Sequence, residues 1–238
     1  MNINTKIIAT IGPATIDFSV FQKIIDEGID HIRINTSFGD EDQYNRIIDN
    51  LKKATKHKDV KIIWDIKNIE SLNFARENNI NIIALSFAEE SEQITQVRSI
   101  IPNAFVISKI ETKNGVYNFD EILDKSDGIM IARGDLGDAV TLPEVPPLQK
   151  HFTIKTLEKK KMLITATEML LSMTENPRPT RAEVSDVANA VFENSSAVML
   201  SEETAIGKYP VEAVKYMRKI IENAEDWNNT HTINLTDT

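Results

Sequence analysis

The sequence predicts a single α/β domain folded as a (β/α)8 TIM barrel. Eight short apolar, β-branched runs point to it, as does the amphipathic segment after each run. The length of 238 residues is also close to the roughly 250 that such a barrel needs. Strands are expected at 6–12, 31–37, 61–67, 81–87, 104–111, 127–134, 162–168 and 197–202. Their near-continuous apolar character suits parallel strands covered on both faces. Segments such as 17–28, 41–57, 180–195 and 209–226 repeat apolar residues at three- and four-residue spacing, giving each helix one buried face. An open doubly wound sheet is the alternative and would usually have fewer units. No linker interrupts the pattern, so residues 1–227 are expected as one barrel and the polar stretch 228–238 as a flexible tail.

Composition narrows the classes of partner. With 27 basic and 36 acidic residues the formal charge is −9, which argues against nucleic acid or an anionic membrane. There is no cysteine, hence no disulfide framework and no thiolate chemistry. The opening MNINTKIIATIG lacks the basic and apolar regions of a signal peptide, and no apolar run reaches membrane-spanning length. A soluble cytoplasmic protein is the expectation. Walker and Rossmann phosphate loops are absent, and the four histidines are scattered.

Candidate chemistry is sought at the C-terminal ends of the strands, the active face of such barrels. On the fifth strand Lys109 and Glu111 share a face by the period of two. Glu111 and Asp135, from neighbouring strands, suit Mg²⁺, which commonly takes one or two protein carboxylates plus substrate oxygens. Lys109 can neutralise charge developing on an enolate or phosphoryl oxygen. A structural Lys109–Glu111 pair is the plainer alternative. Arg33, Asn35 and Ser37 share a face of the second strand, and Asp65 ends the third; Asn35, Ser37 and Asp65 would make an oxygen-rich cation pocket. An Arg33–Asp65 ion pair is the competing reading. Gly134-Asp135-Leu136-Gly137 reads as a tight turn into a short helix whose N–H groups could meet a carboxylate. Thr167 could bind a carboxylate or relay a proton, or be only a good strand residue. Thr180 with Glu183 reads as a capping box opening a helix.

Together these segments resemble pyruvate kinase. The stretches TKIIATIGPAT (5–15), IRINTSFGD (32–40), SKIETKNGVYNFDEILDKSDGIMIARGDLG (108–137) and the long run 166–214 follow that family's barrel in order. The resemblance implies that Arg33 contacts the transferring phosphoryl group, that Lys109 stabilises the enolate, and that Glu111 and Asp135 bind Mg²⁺ or Mn²⁺. It implies K⁺ at Asn35, Ser37, Asp65 and the Ile66 carbonyl, and a substrate carboxylate held by Thr167 with N–H groups near Gly134 and Asp135. Pro13 and Asn35 border the implied ADP or ATP position. The implied substrate is phosphoenolpyruvate, pyruvate or a related 2-oxo acid, in a homo-oligomer joined through the barrel.

The departures are specific. The family inserts a β-rich lid after the third strand, whereas here Lys67 runs almost directly into the next helix, expected at 69–79. Phe38 stands for a common histidine, Glu168 for a glutamine and Glu202 for a glycine, and the family's C-terminal regulatory domain has no counterpart. Three readings result: phosphoryl transfer to ADP, a class II aldolase or 2-oxo acid decarboxylase, and a degenerate binding or regulatory barrel.

Overall fold

A computed structural model describes residues 4–54 and 59–230. The chain alternates strand and helix from end to end. Along the first half run β1 (Lys6–Thr10), α1 (Phe18–Asp26), β2 (His31–Asn35), α2 (Glu41–Ala54), β3 (Lys61–Ile66), α3 (Leu72–Glu77), β4 (Ile82–Leu85) and α4 (Ser91–Ile100). Then come β5 (Phe105–Ile110), α5 (Lys113–Tyr117), α6 (Phe119–Lys125), β6 (Gly128–Ala132), α7 (Arg133–Ala139), α8 (Val145–Glu158) and β7 (Met162–Ala166). The last elements are α9 (Arg181–Phe192), β8 (Ala197–Leu200), α10 (Glu202–Ala205) and α11 (Pro210–Thr230). The strands pair in sequence order, all parallel, and β8 closes on β1 through Lys6–Ala197 to Ala9–Leu200. The expected (β/α)8 barrel is the fold.

Alternation along each strand splits the core in two. One set of side chains, including Ile8, Ile63, Ala84, Ile107, Met130 and Ile164, fills the barrel interior. The intervening residues, among them Ile7, Ile32, Trp64, Val106, Ile129 and Leu163, pack outward under the helices. Burial on both faces is why the strands read as apolar runs rather than as alternating ones. Under α2 and α3, Trp64 stacks on Phe74 at 5.0 Å and meets Tyr44 edge-on at 5.0 Å. Truncating such a buried ring costs ~3–5 kcal/mol.

All eight strands end short of the expected limits at the mouth, and β4, β5 and β6 also begin one residue later than expected. Ser37 lies in the turn after β2, so the shared face holds for Arg33 and Asn35 and stops there. The anticipated glycine turn is instead the first turn of α7, which begins directly after β6 at Arg133. The β3–α3 connection is brief: Lys67 and Asn68 lead into a 3-10 turn, Ile69–Ser71. The capping box forms as expected, with Thr180 Oγ1 accepting from the Glu183 N–H at 3.2 Å and Glu183 accepting from the Thr180 N–H at 2.7 Å. Helix α11 runs to Thr230, into the first residues of the expected tail, while 231–238 lie outside the described residues.

Candidate functional site at the C-terminal mouth

The top layer of the interior is where the polar residues gather. Arg33 on β2, Asp65 on β3 and Lys109 on β5 face inward, and Glu111 follows β5 by one residue. Arg33 is 7 % exposed, Lys109 6 %, Asp65 1 % and Glu111 2 %, so two cations and two anions share one nearly dry space. Arg33 Nε donates to Asp65 Oδ2 at 2.7 Å, and its Nη1 to Thr10 Oγ1 at 3.1 Å. Lys109 Nζ donates to Asp65 Oδ1 at 3.2 Å and to Ser86 Oγ at 2.8 Å, and lies 3.0 Å from Glu111 Oε1. Ser86 Oγ in turn donates to Asp65 Oδ1 at 3.0 Å. Both plainer alternatives read from the sequence, the Arg33–Asp65 and Lys109–Glu111 pairs, therefore form.

The two carboxylates are unequal. Burial pushes Asp65 up, but Arg33 and then Lys109 outweigh it and hold the carboxyl below its usual range. Glu111 goes the other way: burial raises it, and the shared Lys109 with the Phe87 N–H at 2.7 Å only partly offsets that. Its Oε1 is buried, with the Lys109 ammonium 3.0 Å away and no well-directed hydrogen bond among the described residues. Buried charges cost more in desolvation than they return unless well paired. A neutral but unevenly satisfied cluster at a barrel mouth is thus a functional-site candidate rather than a stabilising device.

A cleft of about 580 Å³ opens beside this cluster between the ends of β1, β2, β6, β7 and β8. Pro13, Arg33, Asn35, Gly134, Asp135 and Thr167 line it. Asp65 and Lys109 lie deeper in the barrel with Glu111 enclosed beside them, the Ile66 side chain packs outward under the helices, and Ser37 is exposed outside the lining. Asp138, Glu168 and Glu202 add three carboxyl groups to the wall, against the single guanidinium of Arg33. The Gly134 N–H already donates to Thr167 Oγ1 at 2.8 Å, so the anticipated carboxylate donors begin as a closed pair. A Cβ at Gly134 would stand 3.7 Å from that oxygen, ordinary contact, so close packing does not require a glycine there.

Thr167 and Glu168 sit at φ 66° and 56°, and Phe87 at 51°. Left-handed backbone at non-glycine residues costs of order 1–3 kcal/mol each and persists only when its surroundings hold it. Arg133 holds β7's exit: its Nη2 donates to the Thr167 carbonyl at 2.7 Å, its Nε to the Ala166 carbonyl at 3.2 Å, and its Nη1 to Asp186 at 2.7 Å. Glu203, fully buried, accepts from the Leu170 N–H at 2.9 Å and the Ser201 N–H at 2.7 Å, and burial raises its carboxyl above the usual range. Sequence reasoning gave no role to Thr10, Ser86 or Arg133, and it reads Glu203 as an acid that a solvated loop explains equally well, whereas the side chain is fully buried. Ser86 was within reach of that reasoning, because Ile82, Ala84 and Ser86 continue one face of the fourth run to the mouth.

Among the described residues no three His, Cys, Asp or Glu side chains gather as a metal site. Glu111 nonetheless fits a divalent ion, since its buried Oε1 lacks a hydrogen bond and Asp135 is open to the cleft. The anticipated potassium set is engaged within the protein. Asp65 already faces two cations, Asn35 Oδ1 accepts from the Ser37 N–H at 3.1 Å, and the Ile66 carbonyl accepts from the Ser86 N–H at 2.9 Å.

Comparison with known proteins gives one consistent result. The family model "pyruvate kinase, barrel domain" matches residues 2–70 and 64–214. Pyruvate kinase of Chlamydia muridarum is 45% identical over 219 residues, 90% of this chain and 45% of that protein. Those of Thermococcus litoralis and Dictyostelium discoideum are 48% and 49% identical over 168 and 163 residues, 35% and 32% of their lengths. The chain spans under half the length of these relatives. No described helix is long and apolar enough to cross a membrane.

Proposed function

The chain belongs to the pyruvate kinase family through its barrel, and on that premise we propose that it acts on phosphoenolpyruvate or pyruvate through an enolate, with phosphoryl transfer to ADP as the reaction. The observation that carries the reading is the Lys109 ammonium held between Asp65 and Glu111 at the inner end of the mouth. In this reading its charge would stabilise an enolate or phosphoryl oxygen reaching in from the cleft, and a preorganised cation needs no reorganisation. Glu111 and Asp135 would hold Mg²⁺, which when bound supplies charge neutralisation and orientation of substrate oxygens. Arg33 keeps one face on Asp65 and borders the cleft, where its guanidinium can meet a phosphoryl group. Thr167 Oγ1 accepts from the Gly134 N–H and donates to the Ala166 carbonyl at 2.6 Å, so to take the substrate carboxylate the Gly134 N–H would leave Thr167 and the Thr167 hydroxyl would turn from Ala166 to it.

A second reading is favoured by the acids Asp138, Glu168 and Glu202 on the cleft wall. They oppose a nucleotide polyphosphate, and the two-residue link after β3 leaves no lid there to exclude water, which phosphoryl transfer needs. Aldol or decarboxylation chemistry on a 2-oxo acid uses the same enolate site without a nucleotide.

The deciding experiment is ³¹P NMR of the protein with phosphoenolpyruvate, ADP, Mg²⁺ and K⁺, beside Lys109→Met. Growth of an ATP γ-phosphate signal in the wild type alone supports the kinase reading. An unchanged spectrum removes it and leaves the lyase reading, tested by enzyme-dependent consumption of 2-oxo acids.

A further inference from the structure

The opposite end of the barrel carries a concentration of charge that the mouth chemistry does not use. Lys6 lies two residues below Ile8 on β1, and Lys61 two residues below Ile63 on β3, so each stands in register with the inward-facing side, at the exposed rim below those isoleucines. His31, two below Arg33 on β2, pairs with Lys61 in the ladder. These three basic residues line a cleft of about 610 Å³ at the N-terminal opening, together with Asn78, Asn79 and Phe105. No carboxylate among the described residues lines it.

His31 is 6 % exposed, and among the described residues its Nδ1 has no hydrogen-bond partner. Burial first, and Lys6 next, lower its pKa to about 4; Lys61 adds to this, while Asp30 and Asp59 oppose it. The field of both lysines therefore reaches the imidazole. Their neighbouring acids neutralise them poorly. Asp30 is turned to the Ile7 N–H at 2.8 Å, Lys61 has a loose 3.7 Å contact with exposed Asp59, and Lys6 has no ion pair among the described residues. Like charges converging on one concave opening focus a positive potential and favour an anion there.

We propose that this basal opening is a phosphate-binding site in which Lys6, Lys61 and His31 Nδ1 take the phosphate oxygens, and the asparagines and Phe105 meet whatever body the phosphate carries. A tetrahedral oxyanion offers an oxygen to each of the three converging groups, which a carboxylate with two oxygens cannot do. The site stands apart from the mouth and does not depend on the reaction catalysed there.

The test follows the His31 imidazole resonances by NMR in the full chain, assigned with His31→Gln, at constant ionic strength. Inorganic phosphate and AMP are titrated separately against a chloride control. Saturable movement of the His31 signals is expected with phosphate, and an affinity at least about tenfold weaker in Lys6→Met/Lys61→Met, a loss of ~1.4 kcal/mol. Lys61→Arg, which keeps the charge, is expected to retain binding, and an unchanged melting temperature certifies that the double variant folds. Tighter binding of AMP identifies an organic phosphate as the ligand; equal binding identifies free phosphate. No saturable movement with either probe, or equal movement in the double variant, overturns the proposal.

Discussion

The two openings of the barrel treat the same problem differently. At the C-terminal mouth, inward-facing Arg33 and Lys109 are matched by Asp65 and Glu111 within hydrogen-bond or ion-pair distance. At the base, Lys6, His31 and Lys61 meet no carboxylate among the described residues that line their cleft. The mouth has arranged its own counter-charges, so its residual demand is local: the unsatisfied Oε1 of Glu111. The base leaves its demand to solvent or to a ligand. The mouth charges are buried, so an unpaired one there is costly; at the base the two lysines are exposed and only the neutral His31 is buried, so the difference lies in which partner settles the field.

Breaking the mouth should have the largest effect. Lys109→Met removes the cation that both carboxylates share. Turnover in the ³¹P assay should fall by ~10²–10³ or more, and stability by about 3–5 kcal/mol as buried carboxylates lose their partner. Equal turnover in the variant would remove Lys109 from the chemistry. Urea unfolding of Asp65→Asn against Glu111→Gln sharpens the point. Asp65 satisfies two cations and should cost about 3 kcal/mol or more, whereas Glu111, already raised by burial, should cost ~1–3 kcal/mol. The reverse order would mean that Glu111 is the true anchor.

The two ends separate in pH. His31 has a folded value lowered from 6.5 to about 4, so the unfolded chain binds more protons between those values. Stability contributed by neutral His31 is present above pH 6.5 and lost as pH falls to about 4, at most ~3 kcal/mol. A flatter profile is expected for His31→Gln. Asp65, lowered, contributes stability above 3.8 that is lost as pH falls below it through the folded value. Glu111 and Glu203, raised, do the opposite: their contribution is present below 4.5 and lost as pH rises through their folded values. Denaturation midpoints from pH 7 down to 3 therefore read the base first and Asp65 last. The smallest effect expected is at Gly134→Ala. The backbone there is not left-handed and a Cβ meets nothing closer than 3.7 Å, so stability should rise by ~0.5–1 kcal/mol. A loss of activity with that gain would place the substrate against Gly134.

Residue order alone determined the alternation of eight runs and eight helical patterns, the barrel, and the level at which Arg33, Asp65 and Lys109 sit. Periodicity is local, and inward or outward placement follows from it two residues at a time. The capping box at Thr180–Glu183 was legible for the same reason. What only closure of the barrel decided is which charges meet. Lys109 reaches Asp65 across 44 residues and Ser86 across 23, and no local pattern specifies such a distance. The strands also end earlier at the mouth than the apolar runs do. Ser37 thereby passed into a turn, and Gly134 and Asp135 into a helix. Closure also gathered Lys6, His31 and Lys61, three residues unremarkable in their own runs, around one opening. Their meeting depends on the order in which parallel strands pair around the ring, a property of the closed sheet and of no single segment.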